Sequence, residues 1–190
     1  MESYELLTGV GRIYVASVGT AFPVLTAVPS GSWRDMGETS GGVTVNYGQT
    51  LKEIEVDQET GPVKAVRTKE DLEIETKLAI GTLENLADAL GVTVTDTPPG
   101  SGTIGTREIS QYAGSVVNEF AFLFRGSSPY GDYPAQYELP RGYFTGKVKL
   151  DHDVDKGVLI PVTFKALVDL DAATDAEKFG RLVAQDADAL

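Results

Sequence analysis

From Val43 onward apolar and polar residues alternate with a period of two, and this alternation predicts long strands. Ile54 and Val56 fall on one side, and Glu53, Glu55 and Asp57 on the other. Further along, Leu72, Ile74 and Leu78 oppose Asp71, Glu73, Glu75 and Lys77, so each strand carries one apolar and one charged face. Between the two runs, Glu59-Thr60-Gly61-Pro62 signals a turn, with Gly supplying positive φ and Pro presetting the exit. The pattern predicts an extended two-stranded arm around residues 43–67, with edges suited to pairing with another chain.

The period then changes. Across residues 82–91, Leu83, Leu86, Ala87 and Leu90 recur at helical spacing. Thr82 fits the N-cap, Glu84 places an acid in the first turn, and Gly91 suits the left-handed position that ends a helix. So short a helix needs a sheet to pack on. Elsewhere the sequence predicts a strand over 12–18, then a loop broken by Pro23 and Pro29 that contains Trp33. Residues 95–105 form a second loop, and 116–124 a strand with Phe120, Phe122 and Phe124 on one face. Residues 126–142, with Tyr130, Tyr133, Tyr137 and several prolines, suit a long ordered contact loop. Strands follow at 143–150 and 158–170, the second placing Val158, Ile160, Val162, Phe164, Ala166 and Val168 on one side; a hairpin through 151–157 joins them. A turn of helix within 172–178 and a short strand within 179–184 end the pattern. There is no internal repeat, and residues 1–190 are expected to form one mainly β domain.

Composition narrows the function classes. A chain of 190 residues with 42% hydrophobic content can bury roughly 70% of its unfolded surface without staples. Cysteine is absent, which excludes disulfides and thiolate metal sites. The segment MESYELLTGVGRIYV has no basic n-region and no long apolar run, so neither a signal peptide nor a membrane span is expected. The net charge is −12, and so acidic a surface is a poor match for phosphate backbones.

Catalytic and metal chemistry find little support. His152 lies among Asp151, Asp153 and Asp155, a spacing like the first half of an EF-hand loop. The twelfth position is Val162 and no helices flank it, so a solvated turn is the reading, with no metal or cofactor. Carboxylates alternating along strands beside Lys and Thr describe a solvated face better than a hydrolase dyad. The piece GSGTIG, residues 100–105, is followed by Arg107 and not by the Lys-Ser/Thr of a phosphate loop. Trp33 and the tyrosines could stack on sugars or bases, although packing in a core or subunit interface is the commoner use of such residues.

Four stretches together resemble the major tail tube proteins of long, non-contractile-tailed bacteriophages. They are GRIYVASVGTAFP (11–23), SGSWRDMGETSGGVTV (30–45), EIEVDQETGPVKAVRTKEDLEIETKLAIGTLENLADALG (53–91) and VLIPVTFKALVD (158–169). The resemblance implies a β-sandwich or partly closed barrel with one short flanking α-helix, assembling into hexameric rings that stack into a tube. It further implies partners in a tail-tip initiator, a tape-measure protein and a tail terminator, and passage of double-stranded DNA without specific binding. On that reading the protein is made in the bacterial host cytoplasm and resides in the virion tail.

Strand alternation defines two faces without saying which lines the tube. The acidic candidates for the lumen are Glu53, Glu55, Asp57, Glu73 and Glu75. Candidates for ring-to-ring contact are Val43, Val45, Tyr47, Gln58, Gly61 and Pro62, with Tyr130 and Tyr133. The alternative is a β-sandwich module that grips a carbohydrate or cell-surface ligand through residues 126–142.

Overall fold

The computed structural model describes residues 11–111, 114, 116–145, 148–150 and 157–187. In chain order its elements are β1 (Arg12–Ser17), β2 (Arg34–Asp35), β3 (Thr39–Ile54), β4 (Lys64–Leu78), α1 (Leu83–Leu90), β5 (Val94–Thr97) and β6 (Thr106–Ile109). They continue with β7 (Phe120–Ser127), β8 (Pro134–Thr145), β9 (Ile160–Ala166), a 3₁₀ turn at Asp175–Glu177 and β10 (Arg181–Ala184). The main sheet is antiparallel and ordered β2-β1-β7-β8-β9-β4-β3. The first half of β8 pairs with β10 and the second half with β9, so β10 continues the line of β9. A separate hairpin joins β5 to β6.

The core shows that this sheet curls. Ile13 and Val15 of β1 pack in one cluster with Leu72, Ile74 and Leu78 of β4, although three strands separate β1 from β4 in the order. Residues 36–38 connect β2 to β3 across the gap, where Met36 donates its N–H to the Ile13 carbonyl at 2.9 Å and Ala79 donates to Glu38 at 2.8 Å. Among the described residues β2 pairs only with β1 and β3 only with β4, so the sheet curls without closing. Phe122 and Phe164 stack with ring centroids 4.5 Å apart, and Phe144 meets Phe164 edge-on at 5.2 Å. Fully burying one such ring contributes about 3 kcal/mol.

Helix α1 has the predicted ends. Thr82 Oγ1 accepts from the Asn85 N–H at 3.3 Å, and Gly91 takes φ 67°. Its buried face differs from the predicted apolar stripe: Asn85, Ala87 and Ala89 are buried, Leu83 and Leu86 half-buried, and Leu90 exposed. Hydrogen bonding accounts for the buried Asn85. Asn85 Nδ2 donates to the carbonyls of Met36 (2.9 Å) and Ile80 (3.0 Å), while Oδ1 accepts from Arg34 Nη1 at 2.7 Å.

The predicted long loop at 126–142 is instead mostly strand. β7 runs to Ser127 and β8 begins at Pro134, leaving a tight connection. Both prolines of β8 occupy positions that tolerate them: Pro134 opens the strand, and Pro140 falls where the β7–β8 register slips between Phe120 and Phe122. The loop predicted at 95–105 begins with residues 95–97 of β5 and runs up to β6, and the two-residue strand β2 lies within a stretch that has no alternation. Val116 and Val117 stay exposed ahead of β7, and Val168 is exposed beyond β9. The predicted hairpin at 151–157, with His152, Asp151, Asp153 and Asp155, lies outside the described residues except for Gly157.

A second, smaller cluster covers the reverse of the sheet at β1 and β7. Phe22 and Trp33 pack over Tyr14, Ala16, Ala121 and Leu123. The loop is pinned by its backbone: Trp33 Nε1 donates to Ala21 at 3.0 Å, Arg125 Nη2 to Val24 at 3.1 Å and Gln136 Nε2 to Pro23 at 2.9 Å. Beside it, buried Glu138 accepts from Gln136 and from Arg181 of β10.

A bare sheet face and a projecting arm as the candidate functional site

Where that loop ends, the reverse face of the sheet is open. Register places side chains in rows across four strands. One row runs Asn46, Glu73, Lys165, Tyr143, and the next runs Thr44, Glu75, Thr163, Thr145. Between them the opposite face carries Val45, Ile74, Phe164 and Phe144 into the core. Thr44, Asn46, Glu75 and Thr145 are exposed, and Glu73, Tyr143, Thr163 and Lys165 half-buried.

The charges on this face are interleaved. Lys165 Nζ lies 2.5 Å from Glu73 Oε1 and 4.0 Å from Asp71 Oδ1, and Lys69 Nζ lies 2.8 Å from Asp71 Oδ2. The hydrogen bond to Glu73 is the main cause holding the Lys165 ammonium above its ordinary pKa, with Asp71 adding to it. Asp71 is held below the ordinary carboxylate value, first by its hydrogen bond from Lys69. Glu75 instead accepts from the neutral Asn46 Nδ2 at 3.2 Å.

Beyond Glu73, β4 leaves β9 and keeps only β3 as its partner. Every residue from 46 to 70 is exposed, including the apolar Tyr47, Leu51, Ile54, Val56, Val63 and Val66. These side chains follow from the strand alternation, but among the described residues no core lies under them. A bulge between Thr50 and Leu51 offsets the register by one residue, and Thr68 Oγ1 donates to the Thr50 carbonyl at 3.1 Å. Near the base, Glu70 Oε1 accepts from Tyr47 Oη and Arg67 Nη1, each at 2.5 Å. That contact raises the Tyr47 phenol's pKa and lowers the Glu70 carboxyl's. At the tip, the Glu59 N–H reaches Val56 at 3.1 Å and the Val63 N–H reaches Ile54 at 2.9 Å.

The five acids proposed for the lumen separate into two places. Glu73 and Glu75 lie on the open face. Glu53 sits on the arm opposite Ala65, and its even spacing along β3 puts it on the side of Val43 and Val45, not on the open face. Glu55 and Asp57 lie past the end of β3 in the arm tip. Of the contact candidates, Tyr47, Gln58, Gly61 and Pro62 are exposed on the arm. Val43 and Val45 are half-buried against the core and belong to the body. Tyr130 is exposed and Tyr133 half-buried in the β7–β8 connection, which the Ser128 N–H closes onto Tyr133 O at 2.7 Å. Tyr137 packs inside, stacked on Phe124 at 6.1 Å. Sequence reasoning missed Lys165 and Lys69. Lys165 could have been found, because it alternates with the apolar run Val162, Phe164, Ala166 and so must face away from the core.

Among the described residues, no group of His, Cys, Asp and Glu is arranged to hold a metal ion, and no helix is long and apolar enough to cross a membrane. Comparison with protein families supplies the deciding observation: residues 2–184 match the model of the family described as phage tail tube protein. The chain belongs to the phage tail tube protein family. Membership makes it a structural component of a multi-subunit phage tail, located in the virion tail. A mainly β architecture with one short helix fits that family role, as does an arm that has no partner among the described residues. Comparison with curated proteins returned no match.

Proposed function

We propose that copies of this chain assemble into hexameric rings, which stack into the tube through which DNA leaves the virion. The observation that carries the reading is the arm, whose apolar side chains are exposed from Tyr47 to Val66. About half exposed in the subunit, each such side chain gains up to about 1.5 kcal/mol when buried, so the arm is stabilised by contact with another subunit. Its tip, with Glu55, Asp57, Gln58, Gly61 and Pro62, reaches the adjacent ring. The open face of β3, β4 and β9 lines the lumen, with Glu73 and Glu75 among its residues. A polar wall without unpartnered rows of cations does not grip phosphates, so the DNA passes without specific binding.

On this reading the protein has no catalytic activity. It is made in the host cytoplasm, and a tail-tip initiator, a tape-measure protein and a terminator set where the tube starts and stops. The carbohydrate-binding alternative loses its aromatic platform, because Tyr137 is half-buried against the core and Tyr130 and Tyr133 sit in a short turn. Negative-stain electron microscopy of the concentrated protein tests the proposal. Rings or tubes with a central channel are expected. Separate monomers at every concentration, with tail-tip complex added as a seed as well as without it, would overturn it.

A further inference from the structure

A lysine in the wall of a DNA conduit is a liability. An accessible ammonium exchanges counterions with passing phosphates, and each phosphate neutralised adds about 0.9 to the slope of log affinity against log salt. Lys165 stands on the open face, yet its ammonium is engaged. Glu73 is its register partner on β4, so cross-strand spacing fixes the carboxylate beside it, and Nζ to Oε1 is 2.5 Å. Asp71 Oδ1 approaches from the next position on the same face, at 4.0 Å. The two side chains are only partly accessible, Lys165 at 32% and Glu73 at 28%.

We infer that Glu73 is a charge-masking residue of the conduit: it holds the Lys165 ammonium down against the sheet so that double-stranded DNA meets no free cation at this position. The contact keeps Lys165 protonated, so its charge is silenced by pairing and not by loss of the proton. Asp71 does the same for Lys69 at 2.8 Å. Lys77 lies at the other end of the face, opposite Pro161. This inference rests on the lumen reading, and the experiment separates the two.

Tubes formed from the full chain with Thr163→Cys are first treated with a small maleimide and with one too bulky to enter a tube end. Labelling by the small reagent alone is expected; equal labelling by both would put the face outside and overturn the lumen reading together with this inference. A short fluorescent DNA duplex is then incubated with open tubes over a salt series, and the retained fraction is measured after pelleting. Wild-type tubes are expected to retain little. E73Q tubes should retain at least about fivefold more at low salt with a steeper salt slope, and E73Q/K165Q tubes should return to the wild-type level. If the thiol is labelled from inside and E73Q retains no more duplex than wild type, the masking role is wrong and the lumen reading stands. The masking role is equally wrong if adding K165Q does not reverse the gain. Should E73Q fail to assemble, D71N removes the other acid facing Lys165 and the partner of Lys69, and is expected to raise retention in the same way.

Discussion

Asn85 fills the place of a core residue with a polar side chain. It is buried on α1, and its amide bridges the carbonyls before β3 and after β4 while accepting from Arg34. Asn85→Ala would leave those carbonyls without donors in a dry site, and a loss of about 2–3 kcal/mol is expected, read as a lower urea midpoint at unchanged slope. Helical periodicity did not reveal this residue because periodicity counts apolar positions, and a buried amide looks like surface. Gln136 and Glu138 on β8 hid in the same way. Their partners are Pro23, Arg125 and Arg181, all distant in sequence, so nothing local announced that both faces of that strand are covered. A different constraint acts at Gly142, where any Cβ would run into the Lys165 carbonyl and the Phe164 ring.

Among the elements, the arm was the most legible and the least explained by its own subunit. Alternation from Val43 to Val56 and the turn at Gly61-Pro62 announced a hairpin, and β3 and β4 form one. Where the arm leaves the body could not be read, because the alternation continues unchanged past Glu73 while pairing with β9 stops. Replacing residues 52–66 with a two-residue Asn-Gly turn beyond the Leu51–Arg67 pair keeps the hairpin register. The shortened protein should melt within a few degrees of wild type and form no tubes, as checked by calorimetry and electron microscopy. At the base of the arm, Tyr47 and Glu70 form a clasp with opposite pH limits. Glu70 has a lowered pKa, so its contribution is present above the ordinary carboxylate value and is lost as pH falls through the lowered one. Tyr47 has a raised pKa, so its contribution is present below the ordinary phenol value of about 10 and is lost as pH rises through the raised one. Phenolate absorbance, taken as the difference between wild type and Tyr47→Phe, should show Tyr47 titrating above the ordinary value. In Glu70→Gln it should titrate at lower pH.

For the whole molecule, the mainly β class and a single short helix followed from the period of the sequence, whereas the curl of the sheet did not. The curl depends on which distant strands share a core, and β1 and β4 meet only because β2 turns directly into β3. Net charge acts at this scale too. Copies each carrying −12 repel as they approach, and the Debye length falls to about 10 Å at 0.1 M salt. Adding salt should therefore lower the protein concentration at which tubes appear, as followed by light scattering. An assembly driven by surface ion pairs between subunits would show the opposite dependence.

The chain has one tryptophan, and Trp33 belongs to the small cluster on the back of β1 and β7, not to the phenylalanine core. Its indole is therefore a built-in reporter for one lid, the loop held down by Arg125 and Gln136. An emission shift signals that this lid has lifted, while backbone circular dichroism registers the strands beneath it. Followed side by side, the two optical signals distinguish a subunit whose back has opened from one that has come apart.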